Sequence, residues 1–166
     1  MREIPLTQGR VALVDDEDYE TLARAKWYAL RCDSVFYAVH NKRRPERGLV
    51  YMHRVLLGVG PDIEIDHWNH DGLDNQRVNL RACTRMENNR NSRKRPGTSS
   101  RYKGVSWNKH ERKWQAYIAR PVGPNGKARR FHLGLYSDEE TAAHTYDGAA
   151  IASFGAFACT NFGGAP

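Results

Sequence analysis

The chain lacks the features that would make it a zinc finger, a disulfide-stapled module or a membrane protein. Its cysteines are Cys32, Cys83 and Cys159, an odd number, far apart and never in a Cys-x-x-Cys pair. That spacing argues against a zinc site or a disulfide framework and fits a reducing compartment. No apolar run is long enough to span a bilayer, and the opening MREIPLTQGR holds no apolar signal-peptide region, so a soluble intracellular protein with no membrane partner is expected. Acidic residues are in deficit, 19 against 26 Lys plus Arg, which leaves a net charge of +7 and a pI near 9.5. A surplus of that size suits a polyanionic partner bound in a salt-sensitive way. With 166 residues the chain makes one domain or two small ones.

What is present is densest between Glu64 and Arg95. Ile63 to Trp68 alternates as a strand and ends in Asp66-His67; a polar loop follows, then Asn79 to Thr84 as a second strand and a polar helix from about Arg85. Hydrolysis of a phosphodiester requires a hard cation held by oxygen ligands with positions left for phosphate and water. It also requires a base near neutral pKa, for which histidine is the usual choice. The bland alternative is a polar hairpin with ordinary Asn/Asp/Gly loop chemistry.

Asp66-His67, Asp74-Asn75, Asn79-Leu80-Arg81, Thr84 and Asn88 together resemble the HNH (ββα-metal) homing endonucleases. The resemblance implies that Asp66 and Asn88 ligate one divalent metal ion, Mg²⁺ or Mn²⁺, that His67 is the general base, and that Asn79 holds the loop and orients that histidine. His70-Asp71 stands where the family often has Gly-Asn, so His70 either helps at the site or occupies a turn.

Upstream, Val11 to Val14 reads as a strand and Asp15 to Asp18 as the acidic start of a helix over about 16 to 25. Tyr28 to Arg31 and Val35 to Asn41 read as two strands joined at Asp33-Ser34. Lys42-Arg43-Arg44 with Arg47 forms a basic loop that either touches phosphate or is solvated. Tyr51 to Gly58 reads as an apolar strand carrying His53 and Arg54, and its MHR string resembles the same endonucleases. His53 is either a packed polar residue or a contact beside the cleft, and Arg54 gives the strand a phosphate contact.

Arg81, Arg85, Arg90, Arg93, Lys94 and Arg95 load the second strand, the helix and its exit with positive charge suited to tracking a DNA backbone, and Pro96 to Ser100 reads as a flexible linker. Beyond it, 101–107, 114–119 and 130–136 read as three strands, separated by loops at Asn108-Lys109-His110 and Gly123-Pro124-Asn125-Gly126. Ser137 to Glu140 opens a helix whose alanines let it lie close on a sheet. Such a sheet, with basic and aromatic side chains on its other face, has the width of the major groove.

YKGVSW at 102–107, WQAYI at 114–118, LGLYSDEETAA at 133–143, AHTYDGAA at 143–150 and the closing Thr160-Asn161-Phe162 resemble the ethylene-response-factor (Apetala-type) DNA-binding domain. That resemblance places Lys103, Gly104, Ser106, Tyr117, Arg130 and His132 on DNA-facing strands and Tyr146 at a phosphate. Trp114 is expected in the core, while Trp107 either packs or faces DNA. Ser106 and Ala119 stand where the plant domains carry Arg, so the plant target sequence does not transfer.

The expectation is therefore an α+β chain. Residues 1–95 form an HNH nuclease region, made of a mixed α/β segment (1–60) and a ββα-metal core (61–95); a linker (96–100) leads to a three-stranded antiparallel sheet plus one helix (101–162) that binds double-stranded DNA. Function by resemblance is a metal-dependent homing endonuclease of a phage or mobile element, acting in the cytoplasm of a bacterial host. As a monomer it nicks, and a double-strand break needs a dimer or repeated action. Two alternatives stay open: a non-catalytic, sequence-specific DNA-binding or regulatory protein with a degenerate HNH module, and a nonspecific or RNA-directed nuclease.

Overall fold

The computed structural model describes residues 1–42, 45–122 and 127–163. Arg43 and Arg44 of the basic loop and the turn Gly123-Pro124-Asn125-Gly126 lie outside the described residues. The chain is α+β, built from small antiparallel sheets and few helices, and divides into two compact units, Met1–Asn88 and Asn89–Pro166.

In the first unit, β1 (Arg2–Pro5) pairs with β2 (Val11–Val14), and α1 (Asp16–Leu22) follows. Strands β3 (Tyr28–Cys32), β4 (Val35–Asn41) and β5 (Leu49–Tyr51) form a second sheet. Helix α1 is shorter than its sequence suggests, because Leu22 O accepts from the Ala25 amide and from the Trp27 indole (2.7 Å), which turns the chain inward. Asp15 does not cap α1 with its side chain; its carboxylate instead accepts from the Arg77 amide (2.7 Å) and the Gln76 side chain, and Arg77 pairs with Asp18.

Residues 52–57 are a helix, α2 (Met52–Leu57), rather than the continuation of a strand. Met52, His53 and Leu56 recur at helical spacing and are buried, and Gly58, at φ +61°, closes the helix in the left-handed region that a side chain disfavours. Strands β6 (Glu64–His67) and β7 (Leu80–Cys83) then form a hairpin with Asp66 opposite Arg81, followed by α3 (Arg85–Arg90). The core gathers Ile4, Ala12, Val14, Leu22, Trp27, Ala38, Met52, Leu56, Leu73 and Leu80.

In the second unit the strand order is β10-β9-β8, with β8 at Val105–Asn108, β9 at Lys113–Val122 and β10 at Lys127–Tyr136. Helix α4 (Glu139–Phe154) starts where the sequence suggests, with the Asp138 carboxylate accepting from the Thr141 amide (2.7 Å). Ala142, Ala143 and Ala150 are fully buried, so the helix lies close on Val105, Ala116 and Ile118 of the sheet. Asp147 on α4 accepts from the Asn161 amide and side chain and from the Phe162 amide, and Asn161 in turn brackets the Lys103 backbone. Residues 96–100 belong to this unit: Ser100 is buried and Ser99 Oγ accepts from the Trp107 amide (2.9 Å). No helix among the described residues is long and apolar enough to cross a membrane, which bears on helices alone.

Candidate functional site

Two places collect the residues singled out in the sequence. In the first unit, the β6–β7 hairpin gathers Asp66, His67, Asn79 and Arg81. Asn79 is buried and holds the loop at both ends of its amide, Oδ1 accepting from the Asn69 amide (2.9 Å) and Nδ2 donating to Asp74 O (2.7 Å). His70 sits at φ +64°, its amide bonded to His67 O, so it occupies the turn. His67 and His53 are buried with ring centroids 5.0 Å apart, walled by Tyr37 and, on His53, by a stacked Tyr51. Burial pushes His53 down to about 3, with the charges of His67 and Arg54 acting the same way. Burial also lowers His67, against the opposing pull of Asn75, Asp66, Asp71 and Asp74. Arg54 spends one guanidinium nitrogen on Gly60 O (2.9 Å), and Arg85 is exposed.

The two residues that the resemblance makes metal ligands are each engaged within the protein. The Asp66 carboxylate is closed by the Arg81 guanidinium, Nε at 2.8 Å, and Asn88 points its amide nitrogen at Glu64 Oε2 (2.7 Å). A hard dication asks for about six oxygen ligands. Among the described residues no three His, Cys, Asp or Glu side chains come together to hold one. Arg81, expected to contact DNA, pairs its guanidinium with Asp66 within the hairpin.

The second place is the face of the β10-β9-β8 sheet turned away from α4. Alternation along β9 buries Ala116 and Ile118 and turns Gln115, Tyr117 and Ala119 to the other side. Register then puts Ser106 beside Gln115, His132 beside Tyr117 and Arg130 beside Ala119 on that face. The Gln115 amide bridges β8, donating to Ser106 Oγ (2.8 Å) while its Oε1 accepts from Asn108. The Arg130 guanidinium lies over the Tyr117 ring, 4.1 Å from its centroid, and both Arg130 and His132 are exposed. The surface therefore offers a cation, an imidazole, an amide and a hydroxyl on a scaffold held rigid by α4. Donors and acceptors of this kind read base edges, and the cation serves phosphate or guanine.

Two residues placed on DNA-facing strands from sequence, Lys103 and Gly104, and Tyr146, expected at a phosphate, are engaged elsewhere. Tyr146 is buried on α4, with its hydroxyl raised well above the ordinary tyrosine range by desolvation, so it packs the core instead of touching phosphate. Gly104, at φ +74°, is buried with its Cα against the Tyr146 ring and is structural. Lys103 turns its ammonium onto Arg90 O and Ser92 O, 2.6 Å each. Lys94 reaches Val105 O (3.4 Å), Arg90 lies over the Phe154 ring at 5.0 Å, and Arg93 is exposed. Trp107 packs edge-on against Trp114, centroids 5.0 Å apart, and its register opposite Trp114 sets it on the α4 side of the sheet, where it stays 38% exposed. Gln115 was not singled out in the sequence; the period of two that places Tyr117 on the face places Gln115 there too.

No protein-family model matches the chain. A stretch of 63 residues, 38% of the chain, is 43% identical to the ethylene-responsive transcription factor WRI1 of Arabidopsis thaliana, and spans 14% of that protein. A stretch of 64 residues is 42% identical to the AP2-like ethylene-responsive transcription factor PLT2 of the same plant, and covers 39% of this chain and 11% of the relative. A further AP2-like ethylene-responsive transcription factor of the plant is 41% identical over 63 residues, 17% of its length. The chain thus spans less than a fifth of the curated relatives it matches. By name these relatives are transcription factors and not nucleases, and they overturn the expectation of a metal-dependent DNA endonuclease.

Proposed function

We propose that the chain is a sequence-specific double-stranded DNA-binding protein of regulatory type, which reads its site with the outer face of the β10-β9-β8 sheet. The observation that carries this is the juxtaposition of Arg130, His132, Tyr117, Gln115 and Ser106 on one face while the opposite face is filled by α4. The similarity to transcription factors supports it. The matched stretches, 63 or 64 residues, are about the length of the 101–162 segment whose motifs carry the resemblance. The surplus of positive charge supplies the sequence-independent part of the affinity.

A three-stranded sheet laid into the major groove presents alternate residues of each strand to base edges, and here the specific contacts fall to Arg130, His132 and Gln115. Ser106 and Ala119 replace the arginines of the plant domains, so the preferred sequence differs from theirs. The test is selection from a pool of randomised duplexes with the full chain. A defined motif is expected to emerge, and Arg130→Ala is expected to weaken binding to it by about 1–3 kcal/mol. A pool that stays random after repeated selection, with binding set by salt alone, would sink the sequence-specific reading.

A further inference from the structure

The segment Asn89–Ser100 carries an inference beyond the outer face of the sheet. Strand β8 is an edge of its sheet, and an edge leaves backbone groups without ladder partners. Here that edge is covered by side chains from the segment before it: Lys94 Nζ donates to Val105 O (3.4 Å), and the Trp107 amide donates to Ser99 Oγ (2.9 Å). These two contacts are two residues apart on β8 and so on the same edge. The segment is held at its start as well. Lys103 Nζ donates to Arg90 O and to Ser92 O, both at 2.6 Å, Asn91 is buried, and Arg90 lies over Phe154 at 5.0 Å. Lys103 is itself fixed, because Asn161 accepts from its amide and donates to its carbonyl, with Asp147 holding Asn161.

We propose that Asn89–Ser100 is an arm of the DNA-binding unit, fastened by Lys103 as a positioning residue, that sets Arg93 and Arg95 against the phosphate backbone beside the sheet. It rests on the DNA-binding reading above and deepens it. An ammonium that donates to two carbonyls at 2.6 Å has spent two of its three donors within the protein, so Lys103 contributes through the arm before any contact of its own with DNA. Burial lowers its pKa, in keeping with an ammonium drawn out of solvent. Arg93 and Arg95 are exposed, and fixing the backbone between them and the sheet reduces the entropy lost when they meet phosphate.

The test uses the full chain in two measurements. The first is limited trypsin digestion without DNA, since trypsin cuts after Arg90, Arg93 and Lys94. Lys103→Met is expected to be cut there about tenfold faster than the unaltered chain, with cutting within β9 and β10 unchanged, and Lys103→Arg is expected to restore resistance. Equal cutting rates in Lys103→Met overturn the fastening role.

The second is fluorescence anisotropy on a mixed-sequence duplex of about 30 base pairs across a salt series. Arg93→Ala/Arg95→Ala is expected to lower the slope of log affinity against log salt by about 1.8. Adding Lys103→Met to that pair is expected to leave the slope where it is. A further drop of about 0.9 would make Lys103 a phosphate contact and overturn the proposal. An unchanged slope in the double variant, with Arg130→Ala still weakening binding, removes the arm and leaves the DNA reading standing. Absence of duplex binding by the unaltered chain at low salt removes both.

Discussion

Asp66 and Arg81 face each other across the β6–β7 hairpin, and the guanidinium closes on one carboxylate oxygen through both Nε and Nη2. The Asp66 side chain is 6% exposed and that of Arg81 20%. Removing one member of a buried pair strands the other charge, whereas removing both leaves an apolar gap that packs. Asp66→Ala is therefore expected to cost about 3 kcal/mol, and Asp66→Ala/Arg81→Met to recover most of it. Urea unfolding of the three proteins measures this. A single variant as stable as the parent would mean the pair is solvated and holds nothing.

The two imidazoles of His53 and His67 make the first unit acid-sensitive. Both are lowered by burial, His53 to about 3, while the unfolded chain takes up a proton at the ordinary histidine value of 6.5. Below 6.5 the unfolded state binds more protons than the folded one. The stabilisation is therefore complete above that pH and is lost progressively as pH falls, down to about 3 for His53, at up to about 1.4 kcal/mol per unit for that group. Thermal unfolding followed from pH 7 to 4 is expected to show a falling midpoint, and His53→Leu to flatten it. An unaltered slope in that variant would assign the acid sensitivity to other groups.

Gly104 and Tyr146 set the distance between β8 and α4. A methyl group at Gly104 would lie inside the Tyr146 ring, and φ at that position is +74°. Gly104→Ala thus combines a left-handed backbone, about 1–2 kcal/mol, with overpacking of about 1–3 kcal/mol. A loss of roughly 3 kcal/mol is expected in the second unit, read by differential scanning calorimetry. Tyr146→Phe, by contrast, is expected to leave duplex affinity unchanged, since the ring is buried.

Much of this architecture was legible because it depends on local patterning. The Asp138 cap and the alternation of β9 are set by neighbours in sequence, and the sheet-facing helix follows from its alanines. What was not legible depended on partners far away in the chain. Asp66 next to His67 has the spacing of a metal site, but its pairing with Arg81, fifteen residues on, depends on strand register. Lys103 has the position of a groove contact, but Arg90 and Ser92 claim its ammonium. The strand inferred at 52–57 failed for a related reason: an apolar run of six residues fits either period, and only the packing of Met52 and Leu56 selects the helix.

Arg130 and Tyr117 test whether the outer face acts as a unit. The guanidinium sits 4.1 Å from the ring centroid, on strands whose register fixes both residues. In that geometry the ring serves two ends: it supports the cation by a quadrupole contact of about 0.5–1 kcal/mol and limits the rotamers from which Arg130 reaches a base or phosphate. Removing either residue should then remove part of the contribution of the other. Arg130→Ala and Tyr117→Ala are each expected to weaken binding to the selected duplex, and the double variant to lose about 1 kcal/mol less than the sum of the two. Tyr117→Phe keeps the ring face and is expected to bind as the parent does, provided the hydroxyl makes no base contact. Strict additivity in the cycle would mean that Arg130 reaches DNA independently of its support, and the specificity of the face would then rest on His132 and Gln115.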